Sequence, residues 1–180
     1  SILKIYKSIL PTLENIKQVL SECVNESLAN CPNVDRISFR VKSEKSFTEK
    51  INLFTNNNLL KYKHPFRELQ DLVGGRVVVY YKSDIHIVEV EIERNFKRVE
   101  RIKIVPDDEK EFGYEGIHYI LFSPNHIYNP YRDNNNIPYF FELQIKTLYQ
   151  HAWAQSEHGL GYKPGVKLPK SIKRKLAFLA

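Results

Sequence analysis

Residues 141–147 read Phe-Glu-Leu-Gln-Ile-Lys-Thr, and the predicted sheet is built around them. The first, third and fifth side chains are apolar and alternate with polar ones. This period of two predicts a β-strand with one face in the core. The opposite face carries a carboxylate, an amide and an ammonium group, from Glu142, Gln144 and Lys146. Taken alone, such a pattern is typical of an edge strand whose polar face is solvated.

Four further apolar runs predict strands, at Val34–Val41, 76–81, 99–105 and 119–122. An Arg/Lys cluster, an aspartate, and a Gly-Tyr turn with a histidine are attached to these strands. A pair of carboxylates beside clustered cations is the combination that metal-assisted phosphoryl transfer requires. The sequence therefore indicates more than a solvated edge.

Apolar residues at helical spacing predict the helices of the chain, and cap residues and glycines mark where they start and stop. The predicted helices cover residues 5–28, 65–73, 83–96 and 148–158. The first is one helix or two, with Pro11 near a helix start. Gly74-Gly75 ends the second, and Asp84 caps the third.

Length and composition indicate one globular domain. A chain of 180 residues buries about 70% of its unfolded surface, and the 42% hydrophobic content is ordinary. No apolar run approaches the roughly 20 residues of a membrane span, so we expect no membrane association. Cys23 and Cys31 fit neither a zinc site nor a redox pair, which predicts free thiols and a cytoplasmic protein. The chain starts without Met and stops within an apparent helix, so we expect an excised domain.

The net charge of +6 is concentrated near the C-terminal end of the sequence. No acidic residue follows Glu157, whereas six lysines and arginines do, and the remaining 21 basic residues balance the 21 acidic ones. A basic tail of this kind can bind a polyanion, but it is more often a solvated helix face.

One end of the first predicted strand gathers groups that bind phosphate. Arg40 and Lys42 share a face at this end, and Ser43 is placed to cap a following helix. In that helix Ser46 and Lys50 lie one turn apart, roughly below Lys42. Helix amides and cations together bind a triphosphate well, although a surface charge cluster would show the same pattern.

Other candidate residues stand at predicted turns. Asp71 and Arg76 flank the Gly-Gly pair, where a carboxylate can hold a metal ion and a guanidinium can stack on a base. The two can equally pair with each other. Tyr114 lies between glycines and can stack on a nucleobase. His118 can reach a ribose or phosphate, although a hydrogen-bonded structural histidine is the commoner case.

Five motifs occur in one order between about Arg40 and Lys163: R-x-K-x3-S-x3-K, D-L-V-G-G-R, K-x2-G-Y-x3-H, E-L-Q-I-K-T and H-A-W-A-x2-E-H-x3-Y-K. Each alone is weak evidence, but the ordered set resembles the synthetase domain of the RelA/SpoT family, whose members make the alarmone (p)ppGpp. The resemblance implies an α+β fold with a mixed five-stranded sheet flanked by helices, similar to nucleotidyltransferases.

The resemblance also implies a reaction in which the β,γ-pyrophosphate of ATP passes to the 3′-hydroxyl of GDP or GTP and AMP is released. It assigns roles by matching positions. Arg40 and Arg76 sandwich adenine, Lys42, Ser46 and Lys50 hold the ATP phosphates, Asp71 and Glu142 hold Mg²⁺, Glu142 takes the hydroxyl proton, Tyr114 stacks on the acceptor base, and Lys110, His118 and Gln144 contact the acceptor.

Two positions leave the acceptor open. Lys146 shares the strand face by alternation and either adds positive charge to the site or is a surface lysine. After the Gly-Tyr turn the family usually has a basic or variable residue and then often Ser, whereas this chain has Glu115-Gly116. An acid there disfavours the 5′-phosphates of GDP or GTP. The alternative is therefore a toxin-type relative that pyrophosphorylates the 3′ end of tRNA, whose backbone the basic tail suits.

We expect three parts: an N-terminal helical segment at 1–33 that packs on the core, a synthetase core at 34–163, and a basic segment at 164–180 that starts a further helix. These residues contain no H-D motif of the family's hydrolase domain, so this domain should synthesise and not degrade. A catalytically inactive nucleotide-sensing module is a third hypothesis, which the two retained carboxylates argue against. ATP and GDP or GTP are the expected substrates, with tRNA as the alternative acceptor. The sequence does not decide between a monomer and a homo-oligomer.

Overall fold

The computed structural model describes residues 1–104 and 116–161, of which Trp153 and 156–161 are described by backbone alone. No helix within these ranges has the length and apolarity needed to cross a membrane. A short 3₁₀ helix, Asn129–Tyr131, accompanies the main elements. Those elements are α1 (Ile2–Ser27), β1 (Val34–Val41), α2 (Glu44–Ile51), α3 (Pro65–Glu68), β2 (Val73–Val79), α4 (Lys82–Asn95), β3 (Arg98–Ile104), β4 (Gly116–Phe122), α5 (Asn125–Tyr128), β5 (Phe140–Thr147) and α6 (Leu148–Gly161).

The five strands form one sheet in the order β1-β2-β5-β4-β3. β2 and β5 run parallel, and the other neighbouring pairs are antiparallel. The predicted α+β fold with a mixed five-stranded sheet is therefore confirmed. The interpretation of 141–147 as an edge strand is wrong, because β5 pairs with a strand on each side and α6 folds against β5 and β2.

Helices α1 and α4 cover the apolar face of the sheet. α1 is continuous through Pro11, which we expected near a helix start. The apolar stripe of α1 packs on the core on both sides of Pro11, and this packing outweighs the hydrogen bond that proline cannot donate. The buried side chains of that stripe are Tyr6, Ile9, Leu13, Ile16, Leu20 and Val24.

The structure differs from the sequence prediction at Gly74-Gly75. α3 is shorter than predicted and β2 starts earlier, so both glycines lie inside a strand and do not end a helix. A Cβ at Gly75 would lie 2.5 Å from Cζ of Phe39 and 2.8 Å from Cδ1 of Leu143. The close approach of these two core side chains, and not a turn, requires glycine here.

The predicted Ser43 cap is confirmed, whereas Asp84 lies inside the first turn of α4, whose N-cap is Tyr81, and supplies the return bond of a capping box. At the start of α2, Oγ of Ser43 accepts the backbone N–H of Ser46 at 3.2 Å. At the start of α4, the carboxylate of Asp84 accepts the backbone N–H of Tyr81 at 3.3 Å. Each bond satisfies an amide that would otherwise lack a partner within its helix.

We expect Gly75→Ala to destabilise the protein, because its methyl group has no space between Phe39 and Leu143. Overpacking of this kind costs about 1–3 kcal/mol, and each kcal/mol lowers Tm by roughly 2–4 °C. Gly74→Ala is the matched control, since a Cβ there lies 3.8 Å from Oε2 of Glu142, which is an ordinary contact. Thermal unfolding of the two variants measures the difference, and equal Tm values would contradict the packing argument.

Candidate active site

The polar face of the sheet lines a cavity of about 930 Å³ on the side away from α1 and α4. Its walls come from β1, β2, β4 and β5, together with α2 and α6. Six of the residues predicted for the site line it: Arg40, Ser46, Arg76, His118, Glu142 and Gln144.

Strand register sets the order of these residues on the sheet. Arg76, Gln144 and His118 lie side by side on β2, β5 and β4. Arg40 and Glu142 lie one row further along, with a glycine of β2 between them. Because that glycine has no side chain, the row leaves space between the guanidinium and the carboxylate.

Glu142 is held by two neighbours on the same face. Its Oε2 accepts a hydrogen bond from Nε2 of Gln144 at 3.0 Å. Its Oε1 lies 3.2 Å from Nδ1 of His118, with the imidazole as donor. Burial raises the pKa of Glu142, but the hydrogen bonds from His118 and Gln144 outweigh burial and the pKa is lowered overall. The carboxylate is therefore ionised at neutral pH and can hold a cation or accept a proton.

Asp71 lies just before β2 and is held by two lysines. Its Oδ2 accepts hydrogen bonds from Nζ of Lys42 and, at 3.0 Å, from Nζ of Lys50. Burial raises the pKa of Asp71, but the two ammonium groups outweigh burial and lower it overall. Its Oδ1 is buried and has no hydrogen-bond partner among the residues that the structure describes. An ionised carboxylate with one unpaired buried oxygen is suited to take a further cation.

Arg76 stands inside β2, so the pairing of Asp71 with Arg76 that the sequence left open is wrong. Nη1 of Arg76 lies 3.5 Å from Nδ1 of His151 on α6. Burial, and after it the charges of Arg76 and Lys146, lower the pKa of His151, so the imidazole is neutral and can accept from the guanidinium. His151 begins one of the five motifs but was given no role, because its partner lies 75 residues away and spacing does not connect the two.

Lys146 also belongs to the cavity. It is only 2% exposed, so the interpretation as a surface lysine is wrong, and it lines the same space as Arg76. Burial and the charge of Arg76 lower the pKa of Lys146 to about 7, against the opposite influence of Glu142. The period-two pattern placed Lys146 on this face correctly, but it could not show that the face is covered.

The predicted phosphate-binding residues divide into two pairs, although Ser46 and Lys50 share α2. Arg40 and Ser46 line the cavity, whereas Lys42 and Lys50 converge on Asp71. Their roles remain predictions, as do those of the acceptor-binding residues His118 and Gln144. Lys110 and Tyr114, also predicted to bind the acceptor, lie outside the described residues, as do Glu115 and the basic segment 164–180.

A family profile described as "Region found in RelA / SpoT proteins" matches residues 39–176. The chain belongs to the RelA/SpoT family. The resemblance indicated by the five motifs is thereby confirmed, and the matched stretch includes every cavity residue named above.

Several known proteins are similar over most of the RelA/SpoT chain. GTP pyrophosphokinase YwaC of Bacillus subtilis is 27% identical over 176 residues, which are 97% of this chain and 80% of its own. GTP pyrophosphokinase YjbM of the same organism is 28% identical over 115 residues, 63% of this chain and 52% of its own.

Solved structures share the RelA/SpoT fold. The small alarmone synthetase 1 from Bacillus subtilis superposes with a TM-score of 0.65 at 24% identity, over 97% of this chain and 87% of its own. A GTP pyrophosphokinase family protein from Streptococcus pneumoniae gives a TM-score of 0.66 at 22% identity, over 97% of this chain and 85% of its own. At these identities the likeness supports the fold.

The carboxylates of this RelA/SpoT site are groups of the kind that Mg²⁺ takes as ligands. Proteins usually hold this ion through one or two carboxylates together with substrate phosphates. Asp71 and Glu142 could supply two such carboxylates. Burial and the hydrogen bonds from His118 and Gln144 have the larger effects on the pKa of Glu142. The negative charge of Asp71 also raises that pKa, so the two carboxylates interact. Within the described part of the chain, no group of three or more His, Cys, Asp or Glu residues could hold a metal ion alone.

We expect Lys146→Met to stabilise the protein at neutral pH. The folded state holds Lys146 with a pKa of about 7, whereas the unfolded chain keeps the ordinary 10.5. Between these values the unfolded state binds more protons, so stability of the wild type rises with pH across this window. The advantage of Lys146→Met is therefore largest at and below pH of about 7 and shrinks towards pH of about 10.

Urea unfolding at a series of pH values from about 6 to about 9.5 measures this trend as the free energy of unfolding. Lys103→Met is the control, because Lys103 is exposed on the edge strand β3. A difference between Lys146→Met and the wild type that does not change with pH would show that Lys146 stays charged in the folded protein.

Proposed function

We propose that the protein is a pyrophosphotransferase that moves the β,γ-pyrophosphate of ATP to the 3′-hydroxyl of GDP or GTP and releases AMP. The observation that carries the proposal is a pair of ionised carboxylates, Glu142 and Asp71, beside one basic cavity. Asp71 is neutralised by its own lysines. Among the described residues, the cavity lining carries one acid against the two guanidinium groups of Arg40 and Arg76, and Lys146 adds a further positive charge when it is protonated, which suits polyphosphate ligands.

The donor nucleotide fits the side of the cavity formed by β1, β2 and α2. Arg40 and Arg76 stand on neighbouring strands of the same face, two planar groups able to enclose adenine between them. Nε of Arg76 is buried and has no hydrogen-bond partner within the described part of the chain, so we expect it to be available to a ligand. From adenine, the triphosphate extends to Ser46 at the start of α2 and to Lys42 and Lys50.

The acceptor fits the side formed by β4 and β5. In the proposed step Glu142 accepts the proton of the 3′-hydroxyl while the oxygen attacks the β-phosphorus. The bond from the β-phosphorus to the bridging oxygen of the α-phosphate breaks, and that oxygen leaves with AMP. His118 and Gln144 orient the carboxylate through the hydrogen bonds described above and border the acceptor. Lys110 and Tyr114 are proposed to complete the acceptor site.

Asp71 and Glu142 are proposed to hold Mg²⁺, which when bound would offset phosphate charge and orient the pyrophosphate. For Asp71 to act in this way, Lys42 and Lys50 must transfer their hydrogen bonds from its Oδ2 to the phosphates. The phosphates thus replace Asp71 as the partner of Lys42 and Lys50, and both lysines are paired with Asp71 before the substrate binds. This exchange makes binding of the nucleotide and of the cation mutually favourable.

The relatives support this choice of acceptor. YwaC and YjbM are both named GTP pyrophosphokinases. The small alarmone synthetase 1 from Bacillus subtilis has been solved bound to its product pppGpp and also bound to AMPCPP. Transfer to tRNA, an inactive sensor, a cytoplasmic location and a homo-oligomer remain predictions from the sequence.

The direct test offers ATP labelled at the β- or γ-phosphate to the protein together with Mg²⁺ and, in separate reactions, GDP, GTP or bulk tRNA. We expect label on GDP or GTP and stoichiometric release of AMP. Glu142→Gln should lower the rate about 10²–10⁴-fold while ATP binding persists, because the amide keeps the shape but cannot take the proton.

Each arm of this assay has a distinct consequence. Label on tRNA alone would replace the acceptor with the toxin-type substrate. Transfer to no acceptor, with ATP still bound, would overturn the enzyme in favour of a sensor. Full activity of Glu142→Gln would remove Glu142 from proton transfer and leave it as a cation ligand at most.

We expect Lys50→Met to change nucleotide and cation binding in opposite directions. Loss of the ammonium group should weaken ATP binding roughly tenfold, because one charge-assisted hydrogen bond to phosphate is lost. The same change frees Asp71 of one of its two lysines, so Mn²⁺ should bind the nucleotide-free protein about two- to fivefold more tightly.

Calorimetry with ATP and, separately, with Mn²⁺ measures both effects. Lys45→Met on the same helix is the control, because Lys45 is exposed and its salt-bridge partner is Glu49, 4.0 Å away. Weaker Mn²⁺ binding by Lys50→Met would contradict the competition between Lys50 and a cation for Asp71.

A further inference from the structure

Tyr6 lies in α1 outside the stretch that the family profile matches, yet its hydroxyl reaches the proposed ATP site. The side chain is fully buried. Its Oη donates a hydrogen bond to the backbone carbonyl of Lys42, 36 residues further along the chain. Lys42 follows β1 directly, and its side chain holds Asp71.

The backbone of Lys42 is held from two sides. Its N–H donates to the carbonyl of Leu72 at 2.9 Å, and its carbonyl accepts from Tyr6. Lys42 is only 6% exposed, so removal of the Tyr6 hydroxyl would cost this buried carbonyl the hydrogen bond that it accepts from Tyr6. Because Leu72 is the neighbour of Asp71, the two bonds also set the distance between the Lys42 and Asp71 side chains.

The ring of Tyr6 connects the same point to α2. It stacks on Phe47 with ring centroids 3.9 Å apart and planes 5° from parallel. Phe47 directly follows Ser46 and lies one turn before Lys50, the two residues of α2 proposed to bind phosphate. One tyrosine thus contacts both elements that carry the proposed phosphate-binding side chains.

We propose that Tyr6 is a positioning residue for the phosphate-binding side of the active site, acting through the backbone of Lys42 and the packing of Phe47. This inference rests on the proposed function, since it assigns the held side chains to ATP. Burial, and after it the charge of Asp71, raises the pKa of Tyr6 to about 12, so the hydroxyl stays protonated and continues to donate.

Tyr6→Phe tests the proposal, because it removes the hydroxyl and keeps the ring stacked on Phe47. Tyr119→Phe is the matched control. Tyr119 is equally buried, and its hydroxyl shares one proton between carboxylate oxygens of Glu89 at 2.8 Å and Glu93 at 2.9 Å on α4, away from the cavity. Both variants lose the hydrogen bonding of a buried tyrosine, so a merely structural effect should appear in both.

We expect Tyr6→Phe to raise KM for ATP and the Kd of a non-hydrolysable ATP analogue by about three- to tenfold, with KM for GDP unchanged. Tyr119→Phe should change neither constant. In a Lys42→Met background the effect of Tyr6→Phe on analogue binding should largely disappear. Tyr6 is proposed to act by positioning the Lys42 ammonium group, which this background lacks. Tm values of all variants accompany the binding data.

The outcomes separate this inference from the function on which it rests. If the wild type binds no ATP analogue, the proposed function fails. If the wild type binds it and Tyr6→Phe binds equally well, or if Tyr119→Phe weakens it as much, Tyr6 has a structural role alone. A Tyr6→Phe effect that persists undiminished in the Lys42→Met background would overturn the route through Lys42.

Discussion

The parallel pairing of β2 with β5 is the constraint on which the site depends. It places Glu142 beside Gly74 and Gln144 beside Arg76, so two strands distant in sequence present their polar groups on one face. The opposite side of the same pairing brings Leu143 and Phe39 so close to Gly75 that a side chain does not fit. Core packing on one face and site geometry on the other are therefore consequences of a single register.

Both carboxylates of the site have hydrogen-bond partners before any ligand arrives. Asp71 is held by Lys42 and Lys50, and Glu142 by His118 and Gln144, so both carboxylates stay ionised despite burial. Such preorganisation is useful for catalysis because Glu142 is already ionised and oriented when the substrate arrives. It works against folding at Lys146, whose burial disfavours its charged form, as is common where a protein concentrates like charges for function.

Sequence patterns predicted the strands and the residues that share a face, because side-chain alternation is a local property. They could not show that β5 is central, since period two does not reveal which face is covered or how many strands are paired. Gly74-Gly75 looked like a helix end because glycine has the same local signature at a turn and at a close approach. Contacts such as Arg76 with His151 depend on tertiary structure and leave no periodic signal.

Tyr6 shows why fold and site cannot be separated at the boundary that motifs suggest. By spacing it is one more apolar position of the α1 stripe, and the motifs begin only at Arg40. In the structure its ring supplies core packing and its hydroxyl satisfies the carbonyl of Lys42. A helix that packs on the core thus holds the backbone of a lysine whose ammonium group binds elsewhere. If the proposed function holds, the N-terminal helix therefore contributes to the phosphate-binding side through Tyr6.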